Sequence, residues 1–215
     1  MRKANTMKHR VLYMLVSGVL FSAFLALGYA VHKGYLDGLD FDTTVRLQDN
    51  IPRRFDGFFS SLSLLGSFEL TGIAFVVMVL FGVRKLRRLA ILAIFPAFHV
   101  IELLGKMYIE KEPPPFMFLR YSFGFHFPSS YISTDHYSFP SGHVGRTALL
   151  TGMGIFLLWK SKLHPLVKFG LSAVFMGILG IMIVSRIYLG EHWASDTVGG
   201  SLLGFAFVLL SAVVW

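Results

Sequence analysis

Long apolar segments are the feature that most constrains the fold of this chain. At a rise of 1.5 Å per residue, a helix of about 17–20 residues approaches the roughly 30 Å hydrocarbon thickness of a bilayer. The sequence therefore predicts an all-α integral membrane bundle of six transmembrane helices, in a single domain covering residues 1–215. The fourth segment is the least apolar, because Arg146 lies near its start. The predicted helices are about 11–31, 57–83, 89–108, 143–159, 165–185 and 194–215.

The composition agrees with a membrane protein and excludes several other classes. Hydrophobic residues make up 54% of the chain and charged residues 15%, whereas soluble domains carry about a quarter charged residues. The chain has no cysteine, which excludes disulfides, zinc–thiolate sites and cysteine nucleophiles. The net charge of +8 does not indicate nucleic-acid binding, because the basic residues cluster beside apolar segments, where they set topology and meet anionic headgroups.

The distribution of lysine and arginine predicts the orientation. Basic residues concentrate before the first segment, at 84–88 and around 160–168. By the positive-inside rule these regions and both termini are cytoplasmic, and the first segment is long enough to be a retained helix rather than a signal peptide. The connections at about 32–56, 109–142 and 186–193 then face outward. The first of these connections is either a short amphipathic segment lying at the interface or a structured loop.

The first polar constellation is Pro140-Ser141-Gly142-His143, which lies where the fourth apolar segment begins. Proline suits the start of a helix, and glycine allows a close backbone approach. Free N–H groups at a helix N-terminus form a site for an anion such as phosphate. His143 then lies at the membrane edge, where its imidazole can give or take a proton. Taken alone, a histidine at this depth is more often a plain interfacial residue.

The second constellation joins the fifth segment to the sixth through Ser185, Arg186, His192 and Asp196. His192 and Asp196 are at positions i and i+4, so they share one face of a helix. A carboxylate there can accept one imidazole N–H and leave the other ring nitrogen as a nucleophile. Arg186 offers a planar guanidinium that matches phosphate oxygens. Each residue alone has a structural explanation, but both patterns on one membrane face predict a phosphate-handling site.

These two motifs resemble the second and third signature motifs of the type 2 phosphatidic acid phosphatase superfamily, over about residues 57–200. The resemblance implies a six-helix membrane fold with an outward-facing active site, and a phosphatase reaction that needs no metal or cofactor. It also implies that His192 attacks phosphorus, that Asp196 orients it, and that His143 protonates the leaving oxygen and then activates water. The implied phosphate-binding groups are Lys106, Ser141, the Gly142 backbone N–H and Arg186.

The first motif of the superfamily, Lys-x6-Arg-Pro, is matched only in part. Lys106 and Pro114 are in register, but Pro113 occupies the position of the arginine. A lost charged contact costs about 1.5–3 kcal/mol if nothing replaces it. Lys111 or Arg120 either reaches the phosphate or is a solvated loop charge, and the solvated interpretation is favoured.

Other polar and aromatic residues have structural interpretations. Glu69, His99 and Glu102 are expected to face the bundle interior or a cavity. His126 and His136 lack a third ligand at metal-binding spacing, so they are interpreted as polar loop residues and no metal site is predicted. The aromatic residues of this loop either line a lipid entrance or pack within the loop: Phe116, Phe118, Tyr121, Phe123, Phe125 and Phe127.

The predicted function is hydrolysis of a lipid phosphate or lipid pyrophosphate, because a membrane-level site suits a substrate whose tail stays in the bilayer. Phosphatidic acid, phosphatidylglycerol phosphate and a polyprenyl pyrophosphate are the candidates. The short chain favours a bacterial inner-membrane enzyme acting on polyprenyl pyrophosphate or on lipid phosphates generally. Two alternatives stay open: phosphotransfer to an alcohol, and lipid-phosphate binding without turnover. Only the missing arginine supports the second, and the retained His192 and Asp196 argue against it, because a pure binder needs no nucleophile. The oligomeric state is not indicated.

Overall fold

The computed structural model describes residues 2–82, 86–121, 124, 127–128 and 137–214. These residues form eight α-helices and no strand, which confirms the all-α prediction. Short 3-10 turns, such as Leu64–Gly66 and Leu86–Ala93, connect some of them. The helices are α1 Arg2–His32, α2 Asp37–Asn50, α3 Asp56–Ser63, α4 Phe68–Gly82, α5 Ile94–Ile109, α6 Gly142–Lys160, α7 Pro165–Tyr188 and α8 Ala194–Val214.

The predicted number of six membrane helices is not confirmed. Among the described residues, four single helices are long and apolar enough to cross a bilayer: Met7–His32, Leu89–Ile109, Pro165–Tyr188 and Ala194–Val214. A fifth span exists if Arg53–Gly66 and Phe68–Gly82, which meet at 49°, form one broken span. α6 occupies the place of the predicted fourth span but does not meet this criterion. It is an interior helix, and an interior helix can carry polar side chains that lipid disfavours. Those of α6 include the buried Arg146, Thr147 and Thr151.

The predicted helix 57–83 is wrong as a continuous helix. Ser67 has an extended backbone, with φ −61° and ψ 156°, and separates the turn Leu64–Gly66 from α4. Its hydroxyl accepts a 3.4 Å hydrogen bond from the Leu70 N–H, so Ser67 caps the new helix. The break turns Gly66 toward the beginning of α6, where a Cβ on Gly66 would lie 3.0 Å from the His143 ring.

The segment between the first two predicted spans is a helix rather than a loop. α2 turns a polar face inward, with Asp40 and Thr44 buried, while Leu39 and Phe41 are more than half exposed. The Asp40 carboxylate accepts hydrogen bonds from the backbone N–H of Ser195 at 2.8 Å and from its hydroxyl at 2.7 Å. α2 is therefore fastened to the first turn of α8, where a carboxylate is stabilised by the free N–H groups of the helix.

Small residues let α6 and α8 cross at close range. A Cβ on Gly204 would lie 2.5 Å from the Gly145 carbonyl oxygen, and a Cβ on Gly145 would lie 3.1 Å from the Gly200 carbonyl oxygen. This backbone contact brings together the N-terminal ends of the two helices that carry the histidine motifs. Around it, a core of buried side chains from α1, α4, α5, α6 and α8 includes Phe24, Phe75, Phe98, Met153 and Leu203.

Candidate active site

The two histidine motifs meet at one end of the crossing of α6 and α8. The Ser141 N–H donates a 3.0 Å hydrogen bond to the backbone carbonyl of Asp196, which joins the residue before α6 to the first turn of α8. His143 lies in the first turn of α6, and His192 lies in the turn between α7 and α8. Two patterns some fifty residues apart in the chain therefore contribute to a single site.

His192 faces the carboxylate of Asp196. Nδ1 of the ring is 3.4 Å from Oδ2 of Asp196, which is long for a hydrogen bond and is best described as an electrostatic contact. The same Oδ2 accepts a 2.8 Å hydrogen bond from the Trp193 N–H, which fixes the carboxylate. Because Nδ1 points to the carboxylate, Nε2 is the ring nitrogen left for a substrate.

The surroundings of His192 keep its ring neutral. The side chain is buried, and burial is the main reason that the pKa of His192 lies well below its usual 6.5. The positive charges of Arg186 and Lys106 lower this pKa further, and Arg146 adds to the effect, while the Glu102 carboxylate opposes it. At neutral pH the imidazole therefore has an unprotonated nitrogen, as a nucleophile requires.

The guanidinium of Arg186 is held on two sides and free on a third. Its Nη1 donates to the hydroxyl of Ser63 in α3, and its Nη2 forms an ion pair with Glu191. Its Nε is buried and has no hydrogen-bond partner. A guanidinium fixed in this way presents one N–H to an acceptor with little freedom left to lose.

Unpartnered polar atoms concentrate at this site. Because buried polar groups are hydrogen-bonded in the great majority of cases, such a cluster indicates a site built for a polar ligand. The N-terminus of the 19-residue α6 adds backbone N–H groups suited to an anion. Among the described side chains, the buried atoms without a hydrogen-bond partner are Ser141 Oγ, Arg186 Nε, His192 Nδ1 and Asp196 Oδ1.

The last turns of α5 pack directly on the turn before α6. A Cβ on Gly105 would lie 2.7 Å from Cδ of Pro140, and Lys106 follows in the last turn of α5. One turn earlier, the Glu102 carboxylate occupies the space that a Cβ on Gly142 would need. Glycine is therefore required at position 142 for packing, besides any role of its N–H.

Lys111 does not compensate for the proline at position 113. Its Nζ lies 3.1 Å from Oδ2 of Asp40 and is also bonded to Asp37, and only 10% of its side chain is exposed. Burial alone lowers the pKa of Lys111, but the hydrogen bonds to the two carboxylates outweigh it and raise the pKa. The favoured interpretation of Lys111 as a solvated loop charge is therefore wrong, because the buried Asp40 holds it.

The remaining sequence interpretations have mixed outcomes. Arg120 lies over the ring of Tyr188, 5.1 Å from its centroid. Glu102 is buried, which confirms that it faces the interior. Phe118 is buried in the loop packing, whereas Phe116 is 85% exposed. Four residues singled out in this loop lie outside the described residues: His126, His136, Phe123 and Phe125.

Sequence reasoning missed three groups at the site: Ser63, Glu191 and Arg146. Nη1 of Arg146 is 3.3 Å from the Glu102 carboxylate. An arginine inside an apolar segment is costly, and that signal could have marked Arg146 as a site residue and not only as a weakness of the fourth span. Ser63 and Glu191 carry no comparable signal, because serines in apolar segments and carboxylates in turns are common.

The sequence profile of the PAP2 superfamily matches residues 85–215, which include both histidine motifs. The chain belongs to the PAP2 superfamily. The resemblance to the type 2 phosphatidic acid phosphatases is thereby confirmed. The match begins after α4, so α1 to α4, with Ser63 and Asp40, lie outside the matched region.

Two known proteins are similar to this PAP2 chain. A putative undecaprenyl-diphosphatase of Escherichia coli K12 is 31% identical over 144 residues, which are 65% of this chain and 64% of that protein. This chain therefore spans less than two thirds of the length of that relative. The crystal structure of a transmembrane PAP2-type phosphatidylglycerolphosphate phosphatase from Bacillus subtilis superposes with a TM-score of 0.70 at 23% identity, over 91% of this chain and 94% of that one. With its apolar helices and this fold, the chain is an integral membrane protein.

Proposed function

We propose that this PAP2 protein removes phosphate from a lipid phosphate or lipid diphosphate through a phosphohistidine on His192. The observation that carries the proposal is the contact of Asp196 with Nδ1 of His192, in a site where Arg186 Nε and Ser141 Oγ have no partner. A nucleophile with an orienting carboxylate, beside groups that bind an anion, is what covalent phosphoryl transfer requires.

In the first step, the lone pair on Nε2 of His192 attacks phosphorus, and the bond from phosphorus to the lipid oxygen breaks. His143 gives its proton to that oxygen, so the lipid leaves as a neutral alcohol or as a lipid monophosphate. Arg186, Lys106, the Ser141 hydroxyl and the Gly142 N–H hold the phosphoryl oxygens as charge develops on them. Asp196 supports the imidazole, which becomes positively charged as the P–N bond forms.

In the second step, water attacks phosphorus from the side that the leaving group vacated. His143, now neutral, takes a proton from this water, and the P–N bond breaks as inorganic phosphate forms. The lone pair returns to Nε2, and both histidines are restored. Every proton in this sequence is exchanged with His143 or water, and no step is assigned to a metal or cofactor.

A lipid substrate fits the position of the site at the ends of apolar helices. The acyl or prenyl tail stays beside the helices while the headgroup reaches His192. The E. coli relative is named a putative undecaprenyl-diphosphatase, and the similar structure is that of a phosphatidylglycerolphosphate phosphatase. Polyprenyl diphosphate, phosphatidylglycerol phosphate and phosphatidic acid are therefore the substrates to compare. We place the site on the outer face of a bacterial inner membrane, with both termini in the cytoplasm, on the positive-inside pattern.

Phosphate release from a substrate panel tests the proposed reaction. The purified protein in detergent is incubated with EDTA and no added metal, and with each of the three lipids or a soluble phosphomonoester. We expect release from at least one lipid and slower release from the soluble ester. Absence of release from every lipid would favour the non-catalytic alternative. Transfer of phosphate to an added alcohol in preference to water would favour the phosphotransferase.

Restoring the motif arginine tests whether the phosphate site lacks one contact. Trp193 Nε1 donates a 2.8 Å hydrogen bond to the Glu112 carbonyl, which holds the residue before Pro113 next to the neighbour of His192. We expect Pro113→Arg to lower KM for the best lipid by about tenfold or more, because one hydrogen bond to a charged group contributes about 1.5–3 kcal/mol. Pro115→Arg, at another exposed proline of the same loop, is the control. Equal changes in the two variants, or none, would mean that position 113 does not approach the phosphate.

A further inference from the structure

Glu102 and Arg146 form a buried ion pair beside the catalytic histidines. Nη1 of Arg146 is 3.3 Å from Oε2 of Glu102, and each side chain is 8% exposed. A buried ion pair inside a membrane bundle contributes little net stability, because desolvation offsets the attraction between the charges. Its presence therefore calls for an explanation other than stability.

The pair lies directly behind the residue that precedes His143. A Cβ on Gly142 would overlap the Glu102 carboxylate and would lie 2.8 Å from Nη1 of Arg146. Glu102 belongs to α5, and Arg146 follows one turn after His143 in α6. The two charges thus join α5 to the first turn of α6 at the position of His143.

Arg146 also holds the surface on which the His143 ring rests. Its Nε donates a 3.0 Å hydrogen bond to the Gly66 carbonyl at the break between α3 and α4. On the other side, a Cβ on Gly66 would lie 3.0 Å from Cδ2 of His143 and 3.1 Å from its Cβ. The same guanidinium therefore fixes both the backbone before His143 and the backbone against its ring.

A direct role of Arg146 as the missing phosphate ligand is disfavoured by its partners. Nε and Nη1 are both engaged, and the Glu102 carboxylate neutralises the charge. Glu69 in α4 adds a second negative charge within electrostatic range of the guanidinium. His99 in α5 lies 3.5 Å from Nη1. Such surroundings suit a structural cation better than one that must attract phosphate.

We infer that Glu102 and Arg146 are positioning residues, which hold His143 in the orientation from which it protonates the leaving oxygen. The inference rests on the proposed function, since it assigns the pair a part in the general-acid step of that reaction. It extends the site to a charge pair that touches neither the phosphate nor the nucleophile.

A comparison of leaving groups tests this inference, because a poor leaving group needs the proton from His143 and a good one does not. Glu102→Gln and Arg146→Gln are assayed on an alkyl lipid phosphate and on a nitrophenyl phosphate carrying a long alkyl chain. Because His143 also acts in the second step, which is the same for both esters, the release of the leaving group is followed in a single turnover. We expect its rate to fall by about 10- to 100-fold on the alkyl ester and by less than about threefold on the activated ester, since general acid catalysis contributes about 10²–10⁴. KM should be unchanged for both esters.

Equal losses on the two esters would overturn the inference, and so would a change confined to KM, which would assign the pair to the phosphate site. Arg46→Gln, which removes an exposed ion pair with Asp42 in α2, is the control and should leave both rates unchanged. If the two glutamine variants do not fold, Arg146→Lys is assayed in their place, because it keeps the positive charge but not the planar guanidinium. The same loss confined to the alkyl ester is expected. Wild-type protein inactive on every lipid would contradict the proposed function instead.

Discussion

Replacing His192 by alanine should lower phosphate release from the best lipid by about 10⁴-fold or more, because the variant lacks the atom that bonds to phosphorus. The expected loss is in kcat, since the phosphate-binding groups of α6 and Arg186 remain. A second measurement is independent of turnover. Brief reaction with a phosphate-labelled lipid, stopped with base, should leave acid-labile label on the wild-type protein and none on His192→Ala.

His9→Ala is the matched control for this experiment, because His9 is an exposed histidine of α1 far from the site. It should retain both turnover and labelling. Full activity in His192→Ala would end the assignment of the nucleophile. Loss of label with retained hydrolysis would indicate direct attack of water on the substrate, with His192 as a binding group only.

The residues of each histidine motif could be identified from the sequence, because each motif is local. The spacing of four residues keeps His192 close to Asp196, but the predicted shared helix face is wrong, because His192 lies in the turn before α8. Gly142 and His143 are at a helix start whatever surrounds them. The structure adds the link between the motifs, the Ser141 N–H to Asp196 carbonyl hydrogen bond, which depends on the close crossing of α6 and α8.

The break in the second predicted span had a signal in the sequence. Gly66 followed by Ser67 and Glu69 is the pattern of a helix end, an N-cap and an acid in the first turn. The apolar residues on both sides of the break concealed this signal. Apolar composition indicates that a segment can lie in lipid, but it does not indicate that the segment is one straight helix. The break has a consequence for function, since it supplies the Gly66 carbonyl to Arg146.

Contacts between distant helices could not be predicted from one sequence. Asp40 with Lys111, Ser63 with Arg186, and Glu102 with Arg146 join residues separated by more than 40 positions. Their pairing depends on the rotation and depth of each helix, which amphipathic periodicity specifies poorly when lipid and core are both apolar. For the same reason, the interior location of α6 could not be predicted. Its polar residues made the segment resemble a transmembrane span of low apolarity.

Asp196→Asn should lower kcat by about 10³- to 10⁴-fold while the protein stays folded, by analogy with the loss of the orienting carboxylate in hydrolytic triads. The asparagine amide can keep one acceptor oxygen for the Trp193 N–H, which now bonds to Oδ2 at 2.8 Å. Oδ2 is also the oxygen that faces Nδ1 of His192, so the amide oxygen in this position still faces the ring but carries no charge. A neutral amide stabilises the positively charged imidazole that forms on attack much less than a carboxylate does.

Thermal unfolding and kcat together distinguish this effect from general damage. Asn and Asp have nearly the same size, so the unfolding midpoint should change by the equivalent of about 1 kcal/mol, the contribution of one hydrogen bond. Asp49→Asn, at an exposed position of α2, is the control for the loss of a carboxylate charge. A large loss of stability with proportionate loss of activity would make Asp196 a structural residue of the α8 start. Wild-type kcat in Asp196→Asn would mean that the imidazole of His192 needs no charged partner during attack. The carboxylate would then only support the Trp193 backbone.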